Sequence, residues 1–207
     1  MNTAAARRRL LISMAHRRQR PGSGSGRDYL IRRTTQLKFP DLTPILGTIL
    51  WCAVGAAATR LYMPERMTDD LDILVHSEDS QDAQERLTNA NYVYQGGLSI
   101  GGSRWLSPEN FPIDLLYGDE NWVKAALLEA QTNRDGQGIP ILPLPYLVLM
   151  KFNASRVQDI ADISRMLGQA TEPQLASVRA VFKRWLPGND EDLDSLIALG
   201  QLEFGSA

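Results

Sequence analysis

The spacing of apolar and polar residues changes repeatedly along this 207-residue chain, and each change marks an element. ILWCAV (49–54) is a short run of strand formers closed by Gly55, the pattern of a buried strand entering a tight turn. AAATRLYM (56–63) has high helix propensity apart from Thr59, and Pro64 ends it. DLDILV (70–75) predicts a second strand. SQDAQERLTNA (80–90) predicts an amphipathic helix with Ala83, Leu87 and Ala90 on one face. YVYQ (92–95) and SRWLS (103–107) read as strands around the pairs Gly96-Gly97 and Gly101-Gly102, and FPIDLLY (111–117) as another strand. WVKAALLEAQ (122–131) predicts a helix. IPILPLPYLVLMKF (139–152) passes from a Pro-punctuated strand into a helix expected to run on to about Leu167, with further helical stretches at 173–186 and 190–199. Residues 28–48 predict a helix interrupted near Pro40 and Pro44. Strands early and helices late give an α/β (α+β) class: a small mixed sheet flanked by helices, with a helical C-terminal part.

Composition narrows this picture. The chain is 43% hydrophobic, as a globular protein should be, and no apolar run reaches the roughly 18 residues of a membrane helix. A single cysteine, Cys52, excludes an internal disulfide framework and a cysteine zinc site. A cytoplasmic protein without a membrane partner is the expectation. The first 26 residues carry Arg7, Arg8, Arg9, Arg17, Arg18 and Arg20 with no acid, then a GSGSG linker at 22–26. They are expected to form a disordered basic extension (1–26), before a core domain at 27–168 and a helical segment at 169–207 packed on that domain. Setting the six arginines aside leaves 16 basic residues against 24 acidic, a net charge of about −8 for the body.

Candidate chemistry gathers at carboxylates. Side chains alternate across a strand, so Asp70 and Asp72 face one side while Asp69, Leu71 and Ile73 face the other. Two carboxylates on one face repel unless a cation lies between them, and hard divalent cations prefer oxygen ligands. Asp114 interrupts a second apolar strand, between Ile113 and Leu115, where an unpaired charge is costly. A cation shared among Asp70, Asp72 and Asp114 removes that cost. The strand–Gly55–helix unit presents backbone N–H groups to an anion, and Gly55 allows close approach.

VGAAA (54–58), RMTDDLDILV (66–75) and IDLL (113–116) together resemble the nucleotidyltransferase superfamily with the DNA polymerase β-like fold, over about residues 49–167. The family pattern has a Gly-containing turn, then D-x-D, then a third carboxylate on a neighbouring strand. Gly55 with Ala56, Asp70 with Asp72, and Asp114 match it. The chain departs from the pattern at Ala56, where the family usually has Gly or Ser, which touches triphosphate affinity rather than fold. The resemblance implies a two-metal nucleotidyltransferase using Mg²⁺ or Mn²⁺ and an NTP, with Asp70, Asp72 and Asp114 as catalytic and metal-binding residues. Gly55, Ala56, Arg66, Thr68, Lys151 and Arg156 are implied on the nucleotide side.

The basic residues have structural alternatives. Arg66 can instead pair with Glu65 or Asp69. On a continuous helix, Lys151, Arg156, Asp159 and Asp162 share a broad polar face. The run K-x4-R-x2-D-x2-D also resembles a helix of abortive-infection-type bacterial nucleotidyltransferases, which implies that Lys151 faces the nucleotide phosphates. Gly101-Gly102-Ser103 lacks the Lys of a P-loop and reads as a hairpin turn. The abortive-infection and toxin–antitoxin relatives imply an RNA end or a protein as acceptor and an antitoxin or other partner protein. An acidic body suits a cationic aminoglycoside, so an antibiotic (aminoglycoside or lincosamide) nucleotidyltransferase is the alternative, and a non-catalytic nucleotide-binding module is a third reading.

Overall fold

The computed structural model describes residues 3–18, 38–64 and 68–204. The chain divides into two compact units, Ile31–Pro143 and the pair Met1–Leu30 with Leu144–Ala207. This differs from the sequence-based division at 26 and 168: the helices after Pro143 cluster with the N-terminal helix.

The first unit is built on a mixed five-stranded sheet of order β1-β2-β5-β4-β3. The strands are β1 (Trp51–Ala53), β2 (Leu71–His76), β3 (Val93–Gly97), β4 (Gly102–Leu106) and β5 (Pro112–Gly118). β2 and β5 pair in parallel; the other neighbours are antiparallel. β2 and β5 are two of the three inner strands, and their near-continuous apolar sequence follows from burial on both faces: Leu71, Ile73, Leu74, Val75, Ile113, Leu115 and Leu116 are all buried. Helix α1 (Thr3–Arg18, in the second unit) and the one-turn helices α2 (Thr43–Leu46) and α3 (Gly55–Ala58) precede β2. The expected helix at 56–63 is thus one α turn, continued by a 3₁₀ turn at Thr59–Leu61.

Helix α4 (Ser80–Asn89) buries Ala83 and Leu87, as its periodicity predicts. Arg86 ties it down by pairing with Asp82 one turn earlier and donating to the Leu46 carbonyl at 2.6 Å. Helix α5 (Val123–Ala130) buries Val123, Ala126, Leu127 and Ala130, the i, i+3, i+4, i+7 stripe. β3 and β4 form the hairpin read at Gly101-Gly102, with a register shift between Tyr94 and Gly96. Residues 139–142 make only isolated bridges, parallel from Ile141 to Ala53 and antiparallel from Pro140 to Arg134. The prolines at 140 and 143 have no N–H for a longer ladder.

The second unit is helical: α1 with α6 (Leu144–Ala154), α7 (Val157–Gly168), α8 (Glu172–Trp185) and α9 (Asp190–Phe204). The single helix expected to reach Leu167 is two helices. Ser155 adopts φ 51° and Arg156 is extended (φ −76°, ψ 155°), so the chain breaks between them. The Asp159 carboxylate accepts from the Arg156 backbone N–H at 3.3 Å, as an N-terminal cap does. The expected disordered extension is also replaced over Thr3–Arg18 by a helix. Its anchor is Arg8, which is buried, donates to Asp192 at 3.0 Å and Asn189 at 2.7 Å, and lies over the Phe152 ring at 3.8 Å. Residues 19–26 lie outside the described residues.

Helices α7 and α9 meet backbone to backbone. A Cβ on Gly200 would overlap the Ser164 carbonyl and crowd Gly168 Cα at 2.8 Å, and neither is a side chain able to rotate away. Gly200→Ala is therefore expected to destabilise the protein by about 1–3 kcal/mol through overpacking. Urea denaturation should show a lower midpoint with an unchanged slope; an unchanged midpoint would contradict this packing.

Candidate active site

The site residues lie at one end of the inner strands. Asp72 on β2 and Asp114 on β5 are direct partners in the parallel register, and Arg104 on β4 is the direct antiparallel partner of Asp114. Three ionisable side chains therefore stand in one row across three strands. Residues directly opposite on paired strands project to the same face. Asp70 sits one residue before β2.

Each acid is held by its own neighbours. The Thr68 hydroxyl donates to Asp70 Oδ1 at 2.7 Å and lies 3.3 Å from the Asp70 carbonyl, so Thr68 orients Asp70. The Val54 N–H donates to the Asp72 carbonyl at 2.9 Å, which brings Gly55 directly over Asp72. Gly55 has φ +60°, and a Cβ there would overlap the Asp72 carboxylate. Glycine is thus required twice, by backbone conformation and by the close carboxylate. The sequence motive for Gly55 was anion approach; the structure gives it this additional, local one. Ala56 is not at positive φ, so its backbone has no need of glycine.

Asp114 is 7% exposed. Both its oxygens accept from Arg104, Oδ1 from Nε at 2.7 Å and Oδ2 from Nη2 at 2.7 Å. The same Nη2 lies 3.8 Å from Asp70 Oδ2. The bidentate bond to Asp114, the charge of Asp114, and then those of Asp70 and Asp72 push the Arg104 guanidinium still further above its ordinary range. The counter-charge that the three acids demand is therefore supplied by the chain itself. Sequence reasoning missed Arg104. The one available signal was its place beside Trp105 in SRWLS: alternation puts Arg104 on the face opposite the buried indole.

The other residues assigned to the nucleotide side are placed differently. Arg66 lies outside the described residues. Lys151 belongs to the second unit, is buried, and bonds Asp162 at 2.9 Å and Asp159 at 3.4 Å. Arg156 donates to Asp159 at 2.6 Å from an exposed side chain. The expected phosphate role of Lys151 thus meets an ammonium already committed to two buried carboxylates. His76 caps the turn after β2 by accepting from the Glu78 N–H at 3.2 Å, and Cys52 is fully buried, which pushes its thiol far above the ordinary range.

As donors for a divalent cation, Asp70, Asp72 and Asp114 have the right chemistry, since Mg²⁺ is commonly held by one or two carboxylates plus substrate phosphates. Among the described residues, however, no group of three or more His, Cys, Asp or Glu side chains is spaced to hold a metal ion. Both oxygens of Asp114 face Arg104 instead. Among the described residues no helix is long and apolar enough to cross a membrane.

No protein-family model matches the chain, and no curated protein matches it. Among solved structures it is similar to the antibiotic-resistance factor ANT(2'')-Ia in solution, with TM-score 0.40 and 14% identity over 74% of this chain and 82% of that one. It is similar to ANT(2'')-Ia in complex with adenylyl-2''-tobramycin, with TM-score 0.37 and 14% identity over 74% of this chain and 88% of that one. A cytoplasmic RNA terminal U-transferase gives TM-score 0.32 and 14% identity over 83% of this chain and 56% of that one.

The placement of Lys151 yields an expectation for stability. Lys151→Met removes the cation from two buried acids, which should cost about 3–5 kcal/mol. Paired thermal and urea melts check it, and a variant melting with the parent would show that the buried cluster does not hold this unit together.

Proposed function

We propose that the protein is a nucleotidyltransferase that moves a nucleoside monophosphate from an NTP to a hydroxyl acceptor, with Asp70, Asp72 and Asp114 holding Mg²⁺ or Mn²⁺. The observation carrying this reading is the in-register pair Asp72–Asp114, flanked by Asp70 and closed over by a glycine that only the absence of a side chain admits. Nothing in folding requires three acids at one strand end; a site for a cation bearing phosphates does. When bound, the cation supplies positive charge where the leaving pyrophosphate develops negative charge.

The chain's residues have distinct parts in this reading. Gly55 leaves room for the Asp72 carboxylate, and Thr68 fixes that of Asp70, so both acids are oriented before any ligand arrives. Asp114 is the buried member, and in this reading its carboxylate, once freed from Arg104, takes the proton of the acceptor hydroxyl. Ala56 lies in the turn beside Asp72 and contributes its backbone N–H to the phosphate side.

Of the acceptors, the structure favours a small cationic molecule such as an aminoglycoside over RNA. Of the basic N-terminal residues that could meet RNA, Arg8 is buried against Asp192 and is not available to an acceptor. Residues 31–143, which form the sheet unit, carry 15 acidic against 9 basic residues, a balance that attracts cations and repels a polyanion.

The test incubates the protein with each labelled NTP and Mg²⁺ or Mn²⁺, offering an aminoglycoside, total RNA and protein in separate arms. Metal-dependent label on an acceptor is expected, with Asp72→Asn reducing transfer at least about a hundredfold. Equal transfer by Asp72→Asn would remove the assignment. NTP binding without transfer in any arm would leave a nucleotide-binding module.

A further inference from the structure

The Arg104 fork takes the position on Asp114 that a cation would need. A Mg²⁺ ligand must offer an oxygen lone pair at about 2.0–2.1 Å. Here Arg104 engages both oxygens of Asp114 and approaches Asp70 with the same Nη2. A guanidinium and a divalent ion on the same carboxylates also repel each other, more strongly at a partly buried site than in water. The two cations therefore compete.

The members of this arrangement differ in freedom. Asp114 is buried on an inner strand, and its side chain is 10% exposed, while that of Arg104 is 48% exposed. Arg104 can leave for solvent by rotating its long side chain, without moving the sheet. Asp114 cannot. Its charge must be matched by Arg104 or by something that replaces Arg104.

We propose that Arg104 is the site's built-in counter-cation: it keeps the acid cluster closed to metal, and a divalent ion enters only by displacing it, so that Arg104 sets the affinity for the metal. In this role Arg104 is a positioning residue that acts through Asp114 and Asp70. The inference rests on the metal site of the proposed function and concerns its regulation by a residue of the chain.

The experiment measures Mn²⁺ binding to the nucleotide-free protein by the electron-spin-resonance signal of the unbound ion. Parent, Arg104→Gln, Arg104→Lys and Asp72→Asn are compared. Arg104→Gln should bind Mn²⁺ on the order of tenfold more tightly than the parent, because one positive charge has left the site. Arg104→Lys keeps the charge and should stay near the parent, which separates charge competition from altered packing. Asp72→Asn should bind more weakly. Should Arg104→Gln fold poorly, the parent alone decides: the Arg104 Nε–H resonance, slow to exchange in EDTA, should shift and exchange faster as Mg²⁺ is added.

Equal Mn²⁺ affinity for parent and Arg104→Gln, or an Nε–H resonance unmoved by saturating Mg²⁺, would overturn the counter-cation role and leave the metal site standing. Absence of Mn²⁺ binding in every variant would overturn both.

Discussion

The buried carboxylate of Asp114 is the constraint around which the site is arranged. It sits on an inner strand, flanked along the chain by Ile113 and Leu115, both fully buried. An acid in that position demands a matching charge, and the sheet provides one in register: Arg104, directly across on β4, closes on both its oxygens. On the other side the register places Asp72. The strand order β2-β5-β4 thus makes a row of acid, acid and base, with Asp70 within reach of the same guanidinium. A change in the register of either strand by one residue would send Asp114 to the opposite face and dissolve the row.

The turn after β1 is fitted to this row. Val54 binds the Asp72 backbone, and Gly55 then passes so close to the Asp72 carboxylate that any side chain would collide with it. The Gly turn and the D-x-D are therefore one physical unit, joined by contact as well as by any shared ligand. Thr68 extends the unit to Asp70 through its hydroxyl. Function would be built on positions that local sterics already hold in place, which is what orientation before binding requires.

Local pattern carried much of this fold. The runs around Cys52, Ile73, Trp105 and Leu115 became strands, and the spacing of Ala83 with Leu87 and of Val123 with Ala126 and Leu127 became buried helix faces. The acids were legible as well, because a charge amid strand-forming residues stands out. What local pattern could not carry was pairing. Arg104 and Asp114 are joined by sheet order and register, long-range properties that no short window contains. The helix break at Ser155 was hidden because neither Gly nor Pro marks it: Ser155 takes φ 51° and donates its hydroxyl to the Phe152 carbonyl at 2.5 Å. That break turned an expected open polar face into a closed cluster around Lys151. The N-terminal arginines misled in the same way, since their composition suggested a solvated arm while one of them, Arg8, finds buried partners almost the whole chain away.

The central claim is that Asp114 and Arg104 form one electrostatic unit. It is tested most directly by a double-mutant cycle on metal-free protein in EDTA, using Arg104→Met, Asp114→Asn and the double variant with urea melts. If the pair is a unit, the double variant should be more stable than the two single losses predict, with a coupling of about 1–3 kcal/mol. Strictly additive losses would contradict the account and reduce the Arg104–Asp114 contact to a surface proximity without energetic weight.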